Sequence, residues 1–201
     1  LSTPTPITTG RGDQGLTDLL FGVQVPKGHP RIVACGDVDE LNAALGLARA
    51  SLHSLQPAIA ARLGQVQLQL VAAMGQLATM PEFSSRYVEL GFQALQPSDL
   101  ASIEGWLAEL ETARTPSQKG WHFPGATGHL PAAHVDLART VCRRAERSSW
   151  AIDPSPDPVP LFLNRLSDAL WLLARHLESA APPPAGSPSP TGLPANPRPN
   201  P

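Results

Sequence analysis

The sequence is short of the residues that announce several common chemistries. Of its 201 residues only two are cysteines, Cys35 and Cys142. They stand far apart without metal-ligand spacing, which argues against both a zinc site and a disulfide framework and predicts a reduced, cytoplasmic setting. No apolar run approaches the ~18 residues that would span a bilayer. The N-terminal LSTPTPITTG lacks the charged-then-apolar order of a secretory signal. Charge is scarce too: 16% Asp, Glu, Lys and Arg, with a formal net charge of −2. Basic residues are not spread along the chain as a phosphate-tracking surface demands, which argues against nucleic acid as the partner. Neither G-x-x-x-x-G-K-[ST] nor G-x-G-x-x-G between strand and helix is present, so P-loop and Rossmann readings fail. No segment alternates convincingly as a strand, and no Ser/His/Asp or Cys/His constellation stands out.

What the chain does have is one dense cluster of arginine. Four of its thirteen arginines fall within nine positions of AAHVDLARTVCRRAERSSWA, a predicted helix from Ala132 to Ala151. Arg139, Arg143 and Arg147 lie at i, i+4 and i+8 and share a face. Arg144 leaves that stripe, and Leu137, Val141 and Ala145 supply an opposite face for burial. Three guanidiniums at one-turn spacing suit one polyanion, because each can bind phosphate oxygens in a bidentate way. The alternative is a solvated charge face.

The other segments give this helix a setting. Residues 1–29 carry Gly10, Gly12, Gly15, Gly22 and Gly28 with Thr8, Thr9, Asp13 and Thr17, and read as an ordered loop whose backbone N–H groups can face an anion. Helical periodicity follows over Pro30 to about Ser54, with Ile32, Val33, Leu41, Ala44, Leu45 and Ala48 as its apolar stripe and Asp37, Asp39 and Glu40 in its first half. Further helices are predicted over Pro57–Met80, Pro97–Arg114 and Val159–Ala180, the last burying Leu161, Leu166, Leu170 and Leu173. Trp106 reads as core. Residues 115–131 form a second Gly/Pro-rich loop with Trp121 and Phe123. The stretch after Ala181 holds nine of 23 prolines and is expected to be disordered. Five helical segments give an all-α bundle, with residues 1–29 as a loop of the same domain, 30–180 as the bundle and 181–201 as a tail.

From about Ile7 to Glu178 the chain resembles the PduO-type ATP:cob(I)alamin adenosyltransferases. The match is carried by TTGRGDQGLTDLLFGVQVPK (8–27) with GDVDELNAALGLARA (36–50), by ARTVCRRAER (138–147) and by FLNRLSDALWLLAR (162–175). The resemblance implies a ferritin-like, up-and-down five-helix bundle that assembles as a homotrimer, with each site between subunits. It implies transfer of the 5′-deoxyadenosyl group of ATP to the cobalt of cob(I)alamin, with Mg²⁺ bridging the phosphates and no separate protein metal site. It assigns ATP binding to Thr9, Gly10, Arg11, Gly12, Thr17, Asp18 and Lys27 of the loop and to Arg143, Arg144, Glu146, Arg147 and Asn164 of the bundle. Arg139, Arg143 and Asp39 would serve catalysis. Trp121, Asp39 and Arg139 would meet the corrinoid, Asp39 and Arg139 pairing between subunits. The chain departs from the family pattern at Arg11, where a second Thr is usual, at Asp18, where a small hydroxyl residue is common, and at PGA (124–126) in place of PGG. A catalytically silent corrinoid or ATP carrier, a partner of a B12-dependent enzyme, is the alternative. A plain helical interaction module would have no use for the glycine-rich loop.

Overall fold

A computed structural model describes Thr8, Gly10, residues 12–114 and residues 122–180. The chain is mostly helical. After a small hairpin of β1 (Leu16–Asp18) and β2 (Gln24–Pro26) come α1 (Pro30–Leu52), α2 (Pro57–Leu77), the short α3 (Ser84–Glu89), α4 (Pro97–Thr112), α5 (Leu130–Trp150) and α6 (Val159–Ala180). Proline sits at the first turn of α1, α2 and α4, where a missing N–H costs nothing and a fixed φ favours the helix. Gln96 and Asp99 add a reciprocal capping box to α4.

The strand-free expectation is corrected by the hairpin. Its strands are only three residues each, in the register Thr17↔Val25, too short to show a period. A 3-10 turn at Leu20–Gly22 joins them, with Phe21 at a φ of 64°. A side chain rarely holds that conformation without support. Here the Phe21 ring packs 5.4 Å from that of Phe83, beneath the guanidinium of Arg86 at 4.9 Å. Leu20 N–H donates to Ala78 O at 2.9 Å, so the hairpin is fastened to the end of α2. The short α3 is a second addition to the expected helices.

α1 packs on α2 and α5, α5 on α6, and α6 on α4. Arg62 to Glu109 (2.8 Å) and Gln69 to Asp99 (2.9 Å) close the ring between α2 and α4. Contacts running in opposite order make these neighbours antiparallel, with one exception. Glu104 faces Arg165 and Arg114 lies over Trp171, so α4 and α6 run the same way. Among the described residues α1, α2, α4, α6 and α5 neighbour one another in that order, and α4 beside α6 is the pair that runs parallel.

The core holds Phe162, Leu41, Leu45, Leu63, Leu70, Leu163, Leu166, Leu170 and Leu173, all fully buried. Each such leucine contributes about 2 kcal/mol relative to exposure. Trp106 is buried as expected, whereas Val33, Leu137 and Leu161 are exposed at 45%, 50% and 37%. The buried line of α5 is Val135, Ala138, Cys142, Ala145 and Ser149. Leu137 lies about 100° from its neighbour Ala138 on the helix and misses that line. At the bundle end, Arg31 donates from Nη1 to the carbonyls of Leu77 (3.1 Å) and Thr79 (2.8 Å). A cation there complements the C-terminal dipole of α2, while burial holds the Arg31 pKa below its ordinary value. Among the described residues no helix is long and apolar enough to cross a membrane.

Candidate active site

α5 begins where His129 Nδ1 accepts from Ala132 N–H at 3.3 Å, with Pro131 in the first turn. Burying the Val135 to Ser149 line against α1 and α6 turns the arginine stripe outward. Arg143 and Arg147 are exposed. Among the described residues neither meets a carboxylate. Arg139, one turn earlier, is 22% exposed and leans inward, donating from Nε to Asp136 Oδ1 at 3.0 Å.

Arg144 belongs to another arrangement. Its Nε donates to Asp37 Oδ1 at 3.0 Å, its Nη2 pairs with Glu40, and Ser148 Oγ donates to Asp37 Oδ2 at 2.6 Å. The hydrogen bonds to Glu40 and Asp37 raise the Arg144 pKa further. Two α1 carboxylates therefore already meet this guanidinium, unlike its neighbours. Asp39, between them in sequence, is exposed on α1. Among the described residues the acids that pair with arginines of this helix are Asp37, Glu40 and Asp136 rather than Asp39.

Two predicted nucleotide residues meet directly. Asn164 Nδ2 donates to Glu146 Oε1 at 2.9 Å, and Asn164 Oδ1 accepts from Arg165 Nη1 at 2.6 Å. These bonds fix the Asn164 amide beside the α5 face that bears Arg143 and Arg147. Cys142 Sγ donates to Leu163 O at 3.2 Å, holding the two helices in register there. Burial pushes the Cys142 thiol up out of reach of ionisation, and the Cys35 thiol up to about 11. Both cysteines are free.

The glycine-rich loop brings its own cation. A β-carbon on Gly12 would lie 2.9 Å from Lys27 Nζ, so the ammonium rests directly on that glycine. Lys27 N–H donates to Gly15 O at 2.9 Å, and Gly10, at a φ of 67°, accepts from Asp13 N–H at 3.2 Å. Thr17 is half-buried in β1, and Asp18 is exposed opposite Gln24. Thr9, Arg11 and Trp121 lie outside the described residues, as does the 181–201 tail. Among the described residues no hydrogen bond or ion pair joins this hairpin to α5.

The residues that sequence reasoning passed over are Asp136, Arg175, Asp37 and Ser148. Asp136 is 1% exposed and Arg175 2% exposed, and the two are paired. Arg175 Nε lies 2.7 Å from Glu178 Oε2. The signal was available in the i,i+3 spacing of Asp136 with Arg139 and of Arg175 with Glu178.

The cobalamin adenosyltransferase family model matches residues 7–177. A cobalamin adenosyltransferase from Cupriavidus metallidurans is 38% identical over 180 residues, covering 87% of this chain and 89% of the relative. A corrinoid adenosyltransferase from Mycobacterium tuberculosis H37Rv is 38% identical over 176 residues, covering 85% and 88%. Among solved structures, a variant PduO-type ATP:corrinoid adenosyltransferase from Lactobacillus reuteri, complexed with cobalamin and ATP, superposes with a TM-score of 0.75. It shares 30% identity and covers 87% of this chain and 91% of its own. With a match over nearly the whole bundle at these identities, the chain belongs to the cobalamin adenosyltransferase family.

Proposed function

We infer that this protein is an ATP:corrinoid adenosyltransferase, moving the 5′-deoxyadenosyl group of ATP to the cobalt of cob(I)alamin and releasing triphosphate. The carrying observation, joined to family membership, is the exposed Arg143 and Arg147 beside the Asn164–Glu146 hydrogen bond. Cob(I)alamin supplies the nucleophile. Its cobalt attacks C5′, the Co–C bond forms, and the C5′–O bond breaks with its electron pair leaving on triphosphate. The protein's task is then to bind and orient ATP and to meet the charge that gathers on the leaving group, which preorganised guanidiniums do without further reorganisation. No side-chain nucleophile or general base is needed.

In this reading Arg143, Arg147, Asn164 and Glu146 hold the nucleotide from the bundle. Thr9, Gly10, Arg11, Gly12, Thr17, Asp18 and Lys27 close over it. Arg144 joins them once the phosphates compete with Asp37 and Glu40. Mg²⁺ would arrive on the triphosphate, whose oxygens are its natural ligands, and Glu146 is the cluster's carboxylate able to hold one of its waters. In this reading the protein is a homotrimer whose sites lie between subunits, with Lys27 of one copy facing the arginine face of the next. Exposed Val33 and Leu47 on α1, and Leu68 and Val71 on α2, offer apolar surface for such contacts. Across that interface Asp39 pairs with Arg139 beside the corrinoid, and Trp121 covers the lower face of the ring. Five long helices, with α3 as an insertion, form the bundle of each subunit. A cytoplasmic setting suits cob(I)alamin, a strong reductant that an oxidising compartment would consume.

The test is to add ATP, Mg²⁺ and chemically reduced cobalamin to the purified protein under anaerobic conditions. Adenosylcobalamin should appear in its absorption spectrum and by chromatography. Binding of both substrates without that product would mark a silent carrier.

A further inference from the structure

The buried acid Asp136 has no part in the scheme above, yet it is the most enclosed charge on α5. Its two oxygens face two guanidiniums: Oδ1 accepts from Arg139 Nε at 3.0 Å, and Oδ2 from Arg175 Nη2. Arg175, on α6, also has its Nε 2.7 Å from Glu178 Oε2. Exposure graded along this chain is informative: 11% for Glu178, 2% for Arg175, 1% for Asp136 and 22% for Arg139. Charges of alternating sign run from the α6 surface through the interior and emerge at one point, the Arg139 side chain.

A buried network of this kind is costly to desolvate and is weak evidence for stability alone. Its geometry has a directional consequence. Arg139 is held from behind through Nε, and among the described residues its Nη groups meet no acceptor. The guanidinium is therefore fixed in angle while its outer edge stays available, and a long side chain that would otherwise sample many rotamers is presented in one. The same network backs the loop before α5. The Arg175 guanidinium lies 5.8 Å from the centre of the Trp171 ring, and Trp171 meets His122 edge-on at 5.9 Å.

We propose that Asp136, backed by Arg175, is a positioning residue that presents Arg139 to the corrinoid, and that it sets corrinoid affinity without touching ATP. The proposal rests on the reading that Arg139 serves the corrinoid. Asp136→Asn keeps the shape but removes the charge that holds both guanidiniums. It should raise the cobalamin KM by roughly tenfold, the loss of one charge-assisted hydrogen bond, and leave the ATP KM unchanged. Arg139→Ala should raise the cobalamin KM at least as far, and adding Asp136→Asn to it should change that value no further, because a residue acting through Arg139 has nothing left to position.

A folded Asp136→Asn protein with unchanged cobalamin KM would overturn the proposal. So would equal rises in both KM values, or full additivity with Arg139→Ala, since either would mark a general structural role. Should Asp136→Asn fail to fold, Arg175→Lys keeps the buried charge and loses the guanidinium geometry; it should raise the cobalamin KM in the same selective way, and a folded Arg175→Lys protein with unchanged kinetics would count against the proposal equally. An unchanged cobalamin KM in Arg139→Ala alone would remove the assignment of Arg139 itself, and the role of Asp136 with it. The slow solvent exchange expected of the Arg139 Nε–H, lost in Asp136→Asn, separates that outcome from a failure of the hydrogen bond.

Discussion

Lys27 rests its ammonium on Gly12, close enough that a β-carbon added there would lie 2.9 Å from Nζ and 3.0 Å from Cε. Because the clash is with the end of a flexible side chain, Gly12→Ala should fold normally and push the ammonium aside. The ATP KM should rise several-fold, about 1 kcal/mol of lost charge contact, with an unchanged melting temperature. An unaltered ATP KM would detach Lys27 from the nucleotide.

Asp37 accepts from both Arg144 and Ser148, whereas Glu40 meets Arg144 from a more exposed position. Asp37→Ala should therefore cost about 1–2 kcal/mol of stability by urea denaturation, and Glu40→Ala less than about 1 kcal/mol. Equal costs would mean that both acids are ordinary surface partners.

Gly75 is required by a neighbour rather than by its own backbone. An added β-carbon would lie 2.0 Å from Tyr87 Oη, which donates to Gln93 O at 2.6 Å. Gly75→Ala should expel the ring and cost about 2–3 kcal/mol, more than the ~1 kcal/mol of Tyr87→Phe. Thermal unfolding of the two variants decides the order.

Burial raises the Cys35 pKa to about 11 and that of Cys142 further, so neither is a thiolate at neutral pH. In the native protein both should react with a thiol reagent far more slowly than a free cysteine at pH 8, and both should react fully in denaturant. Raising the pH toward 11 should speed Cys35 before Cys142. Rapid native labelling of Cys35 at pH 7 would contradict its enclosure.

The helices were legible because local signals agreed. Pro30, Pro57 and Pro97 mark starts that the structure keeps, and apolar spacing found Leu63, Leu70, Leu166 and Leu173. The hairpin was not legible, since three-residue strands have no period and Phe21 adopts a positive φ supported by contacts with Phe83, Phe92 and Arg86, all distant in sequence. In the candidate site, the outward direction of Arg143 and Arg147 followed from helix geometry. The partners of the other two arginines did not. Asp37 reaches Arg144 across 107 residues of sequence, a pairing that only the packing of α1 on α5 creates. Asp136 sat one turn from Arg139 in plain view, but its burial depends on Arg175 arriving from α6.

The central claim is that the outward arginine face of α5 carries the leaving triphosphate. Arg143 is exposed and meets no carboxylate among the described residues, so Arg143→Ala should leave the melting temperature unchanged. Single-turnover reactions with ATP and pre-reduced cob(I)alamin measure what it does contribute. In the parent protein intact triphosphate and adenosylcobalamin should appear one for one, and in Arg143→Ala the rate should fall by roughly 10- to 100-fold, the loss of a charge-assisted contact to a developing anion. A folded Arg143→Ala protein that transfers adenosyl at the full parental rate would contradict the account.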